Sequence, residues 1–361
     1  MKKSEHLKIL IVKLSSFGDV VHTLPSFLFL RGSLPGARID WLVEKKFAPL
    51  LGLVKGIDKV HTVDTFALRR RPFAPGTIHE ILKLRKILRS SGYDIVIDFQ
   101  GLLKSAVFVK ASGAPVRAGF TKPYLKERSA ARFYTYTVEP EIDKTNVVFK
   151  NLSLAKTVIS SLGGWLPAFK IKINKTAVKT DCAGIFSPNP SAVKIMDGGL
   201  KKAGIRKFAL LHTGTSNPNK LLPLEMQAEL CDLLWTKKKL MPVLCGSGKD
   251  IENAKVIVSM CRDSRPFILR TSSLAQLAEA MKLASVFIGP DSGPLHLASA
   301  IGAKTIGYYG PTDPNRNGPL GKNVRVIEPK IPCRRPSCWK KCRSNLCLKN
   351  LNVSDFLKFI K

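Results

Sequence analysis

The chain has 361 residues, with 59 Lys and Arg against 26 Asp and Glu, a formal charge of +33. Hydrophobic types at 45% and charged types at 24% allow a buried core and exclude a disordered chain, and the length suits about two domains. No secretory leader pattern opens the sequence, and its apolar stretch 20–30, broken by His22, Thr23 and Pro25, is too short to span a bilayer, so a cytoplasmic protein is expected.

Residues 8–13 (KILIVK) form a short apolar run that stops at Leu-Ser-Ser-Phe-Gly-Asp, the pattern of a buried strand ending in a polar loop. A helical pattern starts at Asp19, with Val20, Val21, Leu24, Phe27 and Leu28 in phase. Strand-like runs follow at 39–44, 58–63 and 94–98, with an amphipathic helix at 78–88 before the last and another helix at 146–162. Such alternation predicts a parallel sheet covered by helices on both faces. After a weakly patterned stretch, with a linker expected at 176–190, a second series runs through 208–212, 240–245, 267–269, 285–289, 305–309 and 324–327. Two doubly wound units in tandem are therefore expected, each opening the carboxyl ends of its strands toward a ligand. The boundaries are 1–180 for the first unit, 181–330 for the second, and 331–361 for a cysteine-rich basic tail whose terminal amphipathic segment is expected to pack back on the first unit.

Charge is spread over both units, since 31 of the 59 basic and 13 of the 26 acidic side chains fall within residues 1–180. The field attracts anions, whether nucleic acid, a phospholipid surface or a phosphorylated small molecule. Its densest part, 66–132, includes Arg69, Arg70 and Arg71, which read either as a solvated loop or as a dock for phosphates.

Three junctions carry the chemistry. In Ser15-Ser16-Phe17-Gly18-Asp19, Gly18 permits close backbone approach, and Asp19 stands at a helix start as a capping residue or as a reactive carboxylate. The second, His212-Thr213-Gly214-Thr215-Ser216 followed by Lys220, offers hydroxyls and an ammonium that suit phosphate oxygens, although such a turn also caps helices. In the third, Gly289-Pro290-Asp291-Ser292-Gly293-Pro294-Leu295-His296, a strand gives way to a helix whose first amides, at Ser292 and Gly293, form an anion-binding arrangement. Asp291 would repel a phosphate and so orients the loop or meets a hydroxyl. His296 either donates to a diphosphate or satisfies a buried partner.

The segments KLSSFGDVVHTLP, CGSGKD and PDSGPLHLASAIGAKTIGYYGPTDP resemble glycosyltransferase family 9, the ADP-heptose:lipopolysaccharide heptosyltransferases, and with DFQGLLKSA the likeness is greatest to the members that add the first heptose. The resemblance implies a GT-B fold, two Rossmann-like α/β domains facing across a cleft, the first holding the acceptor and the second the nucleotide sugar. It implies an inverting transfer of heptose from ADP-heptose to Kdo of lipid A, with no metal or other cofactor required, on the inner face of the cytoplasmic membrane. Asp19 is then the catalytic base. Thr213, Thr215, Lys220, Asp250, Asp291, Ser292, Gly293 and His296 serve the donor, and Ser16, Gly18, Arg69, Arg70, Arg71, Lys104 and Arg128 the acceptor.

Four of the eight cysteines cluster as Cys333, Cys338, Cys342 and Cys347 among basic residues, and read either as a zinc, iron–sulfur or disulfide staple or as reduced thiols. Two rival readings remain at this level. One keeps the family and changes the step, to a later heptose or another sugar. The other is a basic nucleic-acid-binding protein, which the dispersed charge and the lack of any recognised nucleic-acid motif disfavour.

Overall fold

The computed structural model describes residues 6–71, 74–140, 146–165, 182–331, 342 and 344–360. The chain divides into two compact units, Met1–Thr180 and Asp181–Lys361. The first carries strands β1 (Lys8–Val12), β2 (Arg38–Glu44), β3 (Lys59–Val63), β4 (Ile95–Asp98), β5 (Val116–Phe120) and β6 (Tyr136–Val138). The second carries β7 (Phe208–His212), β8 (Met241–Cys245), β9 (Phe267–Leu269), β10 (Val286–Pro290), β11 (Thr305–Tyr308) and β12 (Val324–Ile327).

Both sheets are parallel, in the orders β3-β2-β1-β4-β5-β6 and β12-β11-β10-β7-β8-β9. Read from its opposite edge, the second order repeats the first. Each unit is thus a doubly wound sheet whose strand order reverses beside its opening strand, between β1 and β4 and between β7 and β10. At that reversal the flanking connections leave to opposite faces and open a crevice at the strands' carboxyl ends. Central strands such as KILIV, IVID and FALLH are apolar almost throughout because helices cover both their faces.

The ten expected strands all form, each end within a residue of expectation, while β5 and β6 were not expected. β5 (VRAGF) is interrupted by Arg117 and Gly119, and β6 has three residues, so neither shows a legible period. Gly119 has a packing reason: the Tyr134 ring lies over it where any Cβ would stand. The helical pattern from Asp19 splits into Phe17–Val21 and Leu24–Ser33. Pro25, at the start of the second piece, fits a first turn, where its missing N–H is not needed. Asn151 of the helix Val147–Trp165 bridges this break, donating to His22 O at 3.4 Å and Thr23 Oγ1 at 3.2 Å.

The terminal segment corrects one expectation. The helix Ser354–Leu357 packs against Leu224–Lys238 of the second unit, not on the first. Leu348, Leu351, Val353, Phe356 and Ile360 join the core of Leu230, Leu234 and Tyr308, and Lys238 Nζ donates to the Ile360 carbonyl. The apolar face was legible in the sequence, but the groove that receives it is a product of the second unit's own helices and sheet.

Candidate active site

In the first unit the loop after β1 is tied to the loop after β4. Leu14 N and Ser15 N donate to Gln100 Oε1 at 3.1 and 2.9 Å, and Lys104 Nζ donates to Ser15 Oγ at 3.1 Å. Asp19, half-buried, sits in the first turn of Phe17–Val21 and accepts from both Ser16 N and Ser16 Oγ at 2.9 Å on Oδ2. Burial resists its ionisation, but the charge of Lys13, the two Ser16 bonds and His22 outweigh that and hold the carboxyl below its ordinary range. The group is therefore ionised at neutral pH.

Beneath the loop lie two buried ionisable side chains, and burial disfavours the charged form of each. Asp98, at the end of β4, accepts from Tyr134 Oη and Ser105 Oγ at 2.8 Å each and from Gln100 N and Gly101 N at 2.8 and 3.2 Å. Lys13, 5% exposed, donates from Nζ to Phe99 O at 2.8 Å.

The second unit places its charges at the matching reversal. Lys220 Nζ donates to Asp291 Oδ2 at 2.7 Å, and His296 Nε2 meets Asp291 Oδ1 at 3.3 Å. Asp291 is 5% exposed; burial opposes its charge, yet the His296 bond and the Lys220 ammonium hold its carboxyl far below the usual range. Beside it, Ser292 caps the helix Gly293–Ala300, and its Oγ is buried without a hydrogen-bond partner among the described residues. A buried hydroxyl at a helix N-terminus is suited to a polar ligand, since leaving it unmatched carries a desolvation cost. Thr312, after β11, presents a second buried, unpartnered hydroxyl.

Other expected donor residues are held by the protein itself. Thr213 is fully buried, its Oγ1 donating to Cys245 O and Asp250 O at 3.2 and 3.1 Å, while Thr215 Oγ1 accepts from Asn217 N at 3.4 Å. The Asp250 carboxylate accepts from Ser247 N at 3.0 Å and fills the space over Gly214 and Gly246, where a Cβ would collide with it. Burial pushes His212 down to about 4, and the Asp250 charge and a backbone hydrogen bond at Gly214 offset this only in part, leaving the ring neutral at pH 7.

The remaining acceptor candidates are dispersed. Ser16, Gly18, Asp19 and Lys104 come together around one loop. Arg69 and Arg70 end the helix Thr65–Arg70, with Arg71 as its exposed C-cap, and the Arg70 guanidinium lies 4.4 Å from the Phe66 ring centre. Arg128 is exposed at the start of the turn Arg128–Phe133. Among the described residues no ion pair joins these arginines to the Asp19 loop. Of the clustered cysteines, Cys333 and Cys338 lie outside the described residues, Cys342 is half-buried, and Cys347 is a core side chain of the second unit. Among the described residues no group of three His, Cys, Asp or Glu is arranged to hold a metal ion, so the zinc or iron–sulfur reading gains no support.

Comparison with known proteins defines the class. The family model for glycosyltransferase family 9 (heptosyltransferase) matches residues 81–346, and the chain belongs to this family of glycosyl-transferring enzymes. It is 27% identical over 359 residues to a lipopolysaccharide heptosyltransferase 1 of Campylobacter coli, and 28% identical over 358 residues to that of Escherichia coli K12, covering 98% of both chains in each case. A solved E. coli heptosyltransferase, WaaC with ADP, is 26% identical with a TM-score of 0.74, over 98% of this chain and 99% of that one. The same enzyme with ADP-2-deoxy-2-fluoro heptose gives 0.73. The two α/β units accordingly have the GT-B class of fold.

The Asp291 cluster yields a prediction with a definite sign. Because its folded carboxyl is held below the unfolded value, its stabilisation is complete above the ordinary carboxylate range and is lost as pH falls through the folded value. Asp291→Asn, which leaves Lys220 and His296 without their anion, should destabilise the protein by about 3 kcal/mol at pH 7. Denaturant titrations should show the gap to wild type closing below about pH 4; a gap independent of pH would contradict the assignment.

Proposed function

We propose that the enzyme transfers L-glycero-D-manno-heptose from ADP-heptose to Kdo of lipid A by a single, inverting displacement that requires no metal. The observation that carries this reading is the placement of one ionised carboxylate, Asp19, at the strand reversal of the first unit and of the Lys220–Asp291–His296 cluster at that of the second. The relatives' names and the ADP-heptose analogue bound by WaaC support the donor and the acceptor class.

A sugar hydroxyl is a poor nucleophile at neutral pH. Asp19 accepts its proton as the new glycosidic bond forms at the anomeric carbon, and Ser16 holds the carboxylate in place. On the other side, the bond to ADP breaks and its electron pair stays on the diphosphate. Lys220, oriented by Asp291, and the helix start at Ser292 and Gly293 stabilise that charge without reorganising. His296, fixed by the same carboxylate, and the Ser292 hydroxyl complete the donor site, with Thr213, Thr215 and Asp250 shaping its loops. Ser16, Gly18, Lys104, Arg69, Arg70, Arg71 and Arg128 serve the acceptor's carboxylates and phosphates.

The acceptor lies in a membrane, and among the described residues no helix is long and apolar enough to cross one. Peripheral docking on the inner face of the cytoplasmic membrane is the reading that the surface favours. The helix Pro75–Ser90 buries Leu84 and Leu88 and exposes Ile78, Leu82, Arg85, Lys86 and Arg89 along a single stripe. A shallow concavity of about 410 Å³ is lined by Leu82 and the basic residues. Aliphatic groups flanked by cations suit an anionic bilayer surface, each cation contributing about 1 kcal/mol there.

Two experiments test this mechanism and its membrane face. With ADP-heptose and Kdo-lipid A, the wild-type product should gain the mass of one heptose. Asp19→Asn should lower turnover by about 100-fold to 10,000-fold while calorimetric ADP affinity stays within about twofold; near-normal turnover would remove Asp19 from the mechanism. Reversing Arg85, Lys86 and Arg89 to Glu should raise the KM for acceptor in anionic vesicles by at least about tenfold and leave a water-soluble acceptor unaffected. An equal change for both acceptors would place the membrane face elsewhere.

A further inference from the structure

Lys220 is the last residue of a short turn, Pro218–Lys220, in the loop between β7 and the helix Leu224–Lys238. The turn is closed on itself: Lys220 N donates to Asn217 O and Leu221 N to Pro218 O, both at 3.0 Å, and Asn217 Oδ1 accepts from Asn219 N at 2.9 Å. Such bonds give a turn its shape without fixing where it points. A rotation of the loop about its own ends would carry the ammonium away from Asp291.

The C-terminal segment supplies a tie from outside the loop. Asn345 Nδ2 donates to the Leu221 carbonyl at 3.3 Å, joining positions 124 apart. One residue further on, the Leu222 carbonyl accepts from Gln227 Nε2 at 2.8 Å, and the Leu222 side chain is buried. Peptide units are planar, so two bonded carbonyls set two successive planes directly after Lys220. The same segment grips a second loop. Leu348 and Cys347 fill the space over Gly310, after β11, where a Cβ would stand 2.6 Å from Leu348 Cγ. In the sheet β7 and β11 lie on either side of β10, the strand that delivers Asp291. Residues 345–348 therefore hold both loops that flank Asp291.

Asn345 is suited to this place. Its φ of 49° and ψ of 29° are left-handed, a conformation that Asn adopts more readily than most residues with a side chain, and it begins the helix Leu346–Lys349. Its Oδ1 is buried with no hydrogen-bond partner among the described residues, a cost that an apolar side chain would avoid. What the amide contributes is its nitrogen's bond to Leu221. We propose that Asn345 is a positioning residue for the donor site: by fixing the Leu221 carbonyl, it holds the turn that presents Lys220 to Asp291 and to the diphosphate. The inference rests on the reading of Lys220 as the donor lysine and assigns to the C-terminal segment a part in binding the nucleotide sugar.

The test is calorimetric ADP affinity, donor and acceptor KM and Tm in the full-length enzyme for wild type, Asn345→Gly, Asn345→Ala, Lys220→Ala and the double variant of Asn345→Gly with Lys220→Ala. Asn345→Gly keeps the left-handed backbone without strain and loses only the amide. It should weaken ADP and raise the donor KM by about threefold to tenfold, leaving the acceptor KM unchanged. Asn345→Ala lacks the same amide and adds backbone strain, so its Tm should fall below that of Asn345→Gly while its ADP affinity matches. In the Lys220→Ala background, Asn345→Gly should change ADP affinity by less than about twofold, because the two residues act as one unit. Wild-type ADP affinity in Asn345→Gly, or an equal loss with and without Lys220, would overturn the positioning role. If Lys220→Ala itself binds ADP as wild type does, the reading of Lys220 fails first.

Discussion

The strand reversal inside each parallel sheet is the constraint on which the chemistry depends. Beside the opening strand of each unit, helices leave to opposite faces, and the carboxyl ends of β1 and β4, or of β7 and β10, are left with loops instead of helix cover. A polar group there keeps part of its access to ligand while its base is enclosed. Both units use it to hold polar groups: Lys13, Asp98 and Asp19 lie there in the first, and Lys220 is paired with Asp291 in the second. Under the proposed mechanism Asp19 of the first unit takes a proton, and Asp291 of the second orients Lys220 for the diphosphate.

Such arrangements are poor stabilisers. A buried ion pair recovers its desolvation cost only with good geometry and further hydrogen bonds, and apolar residues of the same volume often do as well. Asp98 draws four donors and Asp291 draws Lys220 and His296, so neither is left unpaired. The stability of each unit comes instead from its apolar strands and the helices on them. In the second unit the C-terminal residues through Ile360 complete that core. The formal charge of +33 is a separate matter from these clusters, and a field of that sign attracts anions.

Much of this was legible because the signals are local. Apolar runs broken by Gly, Ser and Asp mark the strand ends, and the order of strands and helices alone implies two doubly wound units. Asp19, Lys220, Asp291 and His296 stand in short motifs directly after strands, which is where such sheets bind ligands. What escaped depends on contacts distant in sequence. Lys13 only closes the apolar run 8–13 in the sequence, and its bond to Phe99 O joins positions 86 apart. The packing of Asp250 over Gly214 and Gly246 is likewise a contact that no local pattern shows. Amphipathicity told that the terminal segment packs, but not on which unit.

The central claim is a single displacement driven by one carboxylate, and the anomeric configuration of the product reads it directly. The full-length enzyme, given ADP-heptose of known configuration and Kdo-lipid A, should yield a glycoside whose one-bond carbon–proton coupling at the anomeric centre reports the opposite configuration. Retention of the donor's configuration would require a second displacement, which a lone proton-accepting Asp19 does not provide, and would contradict the account.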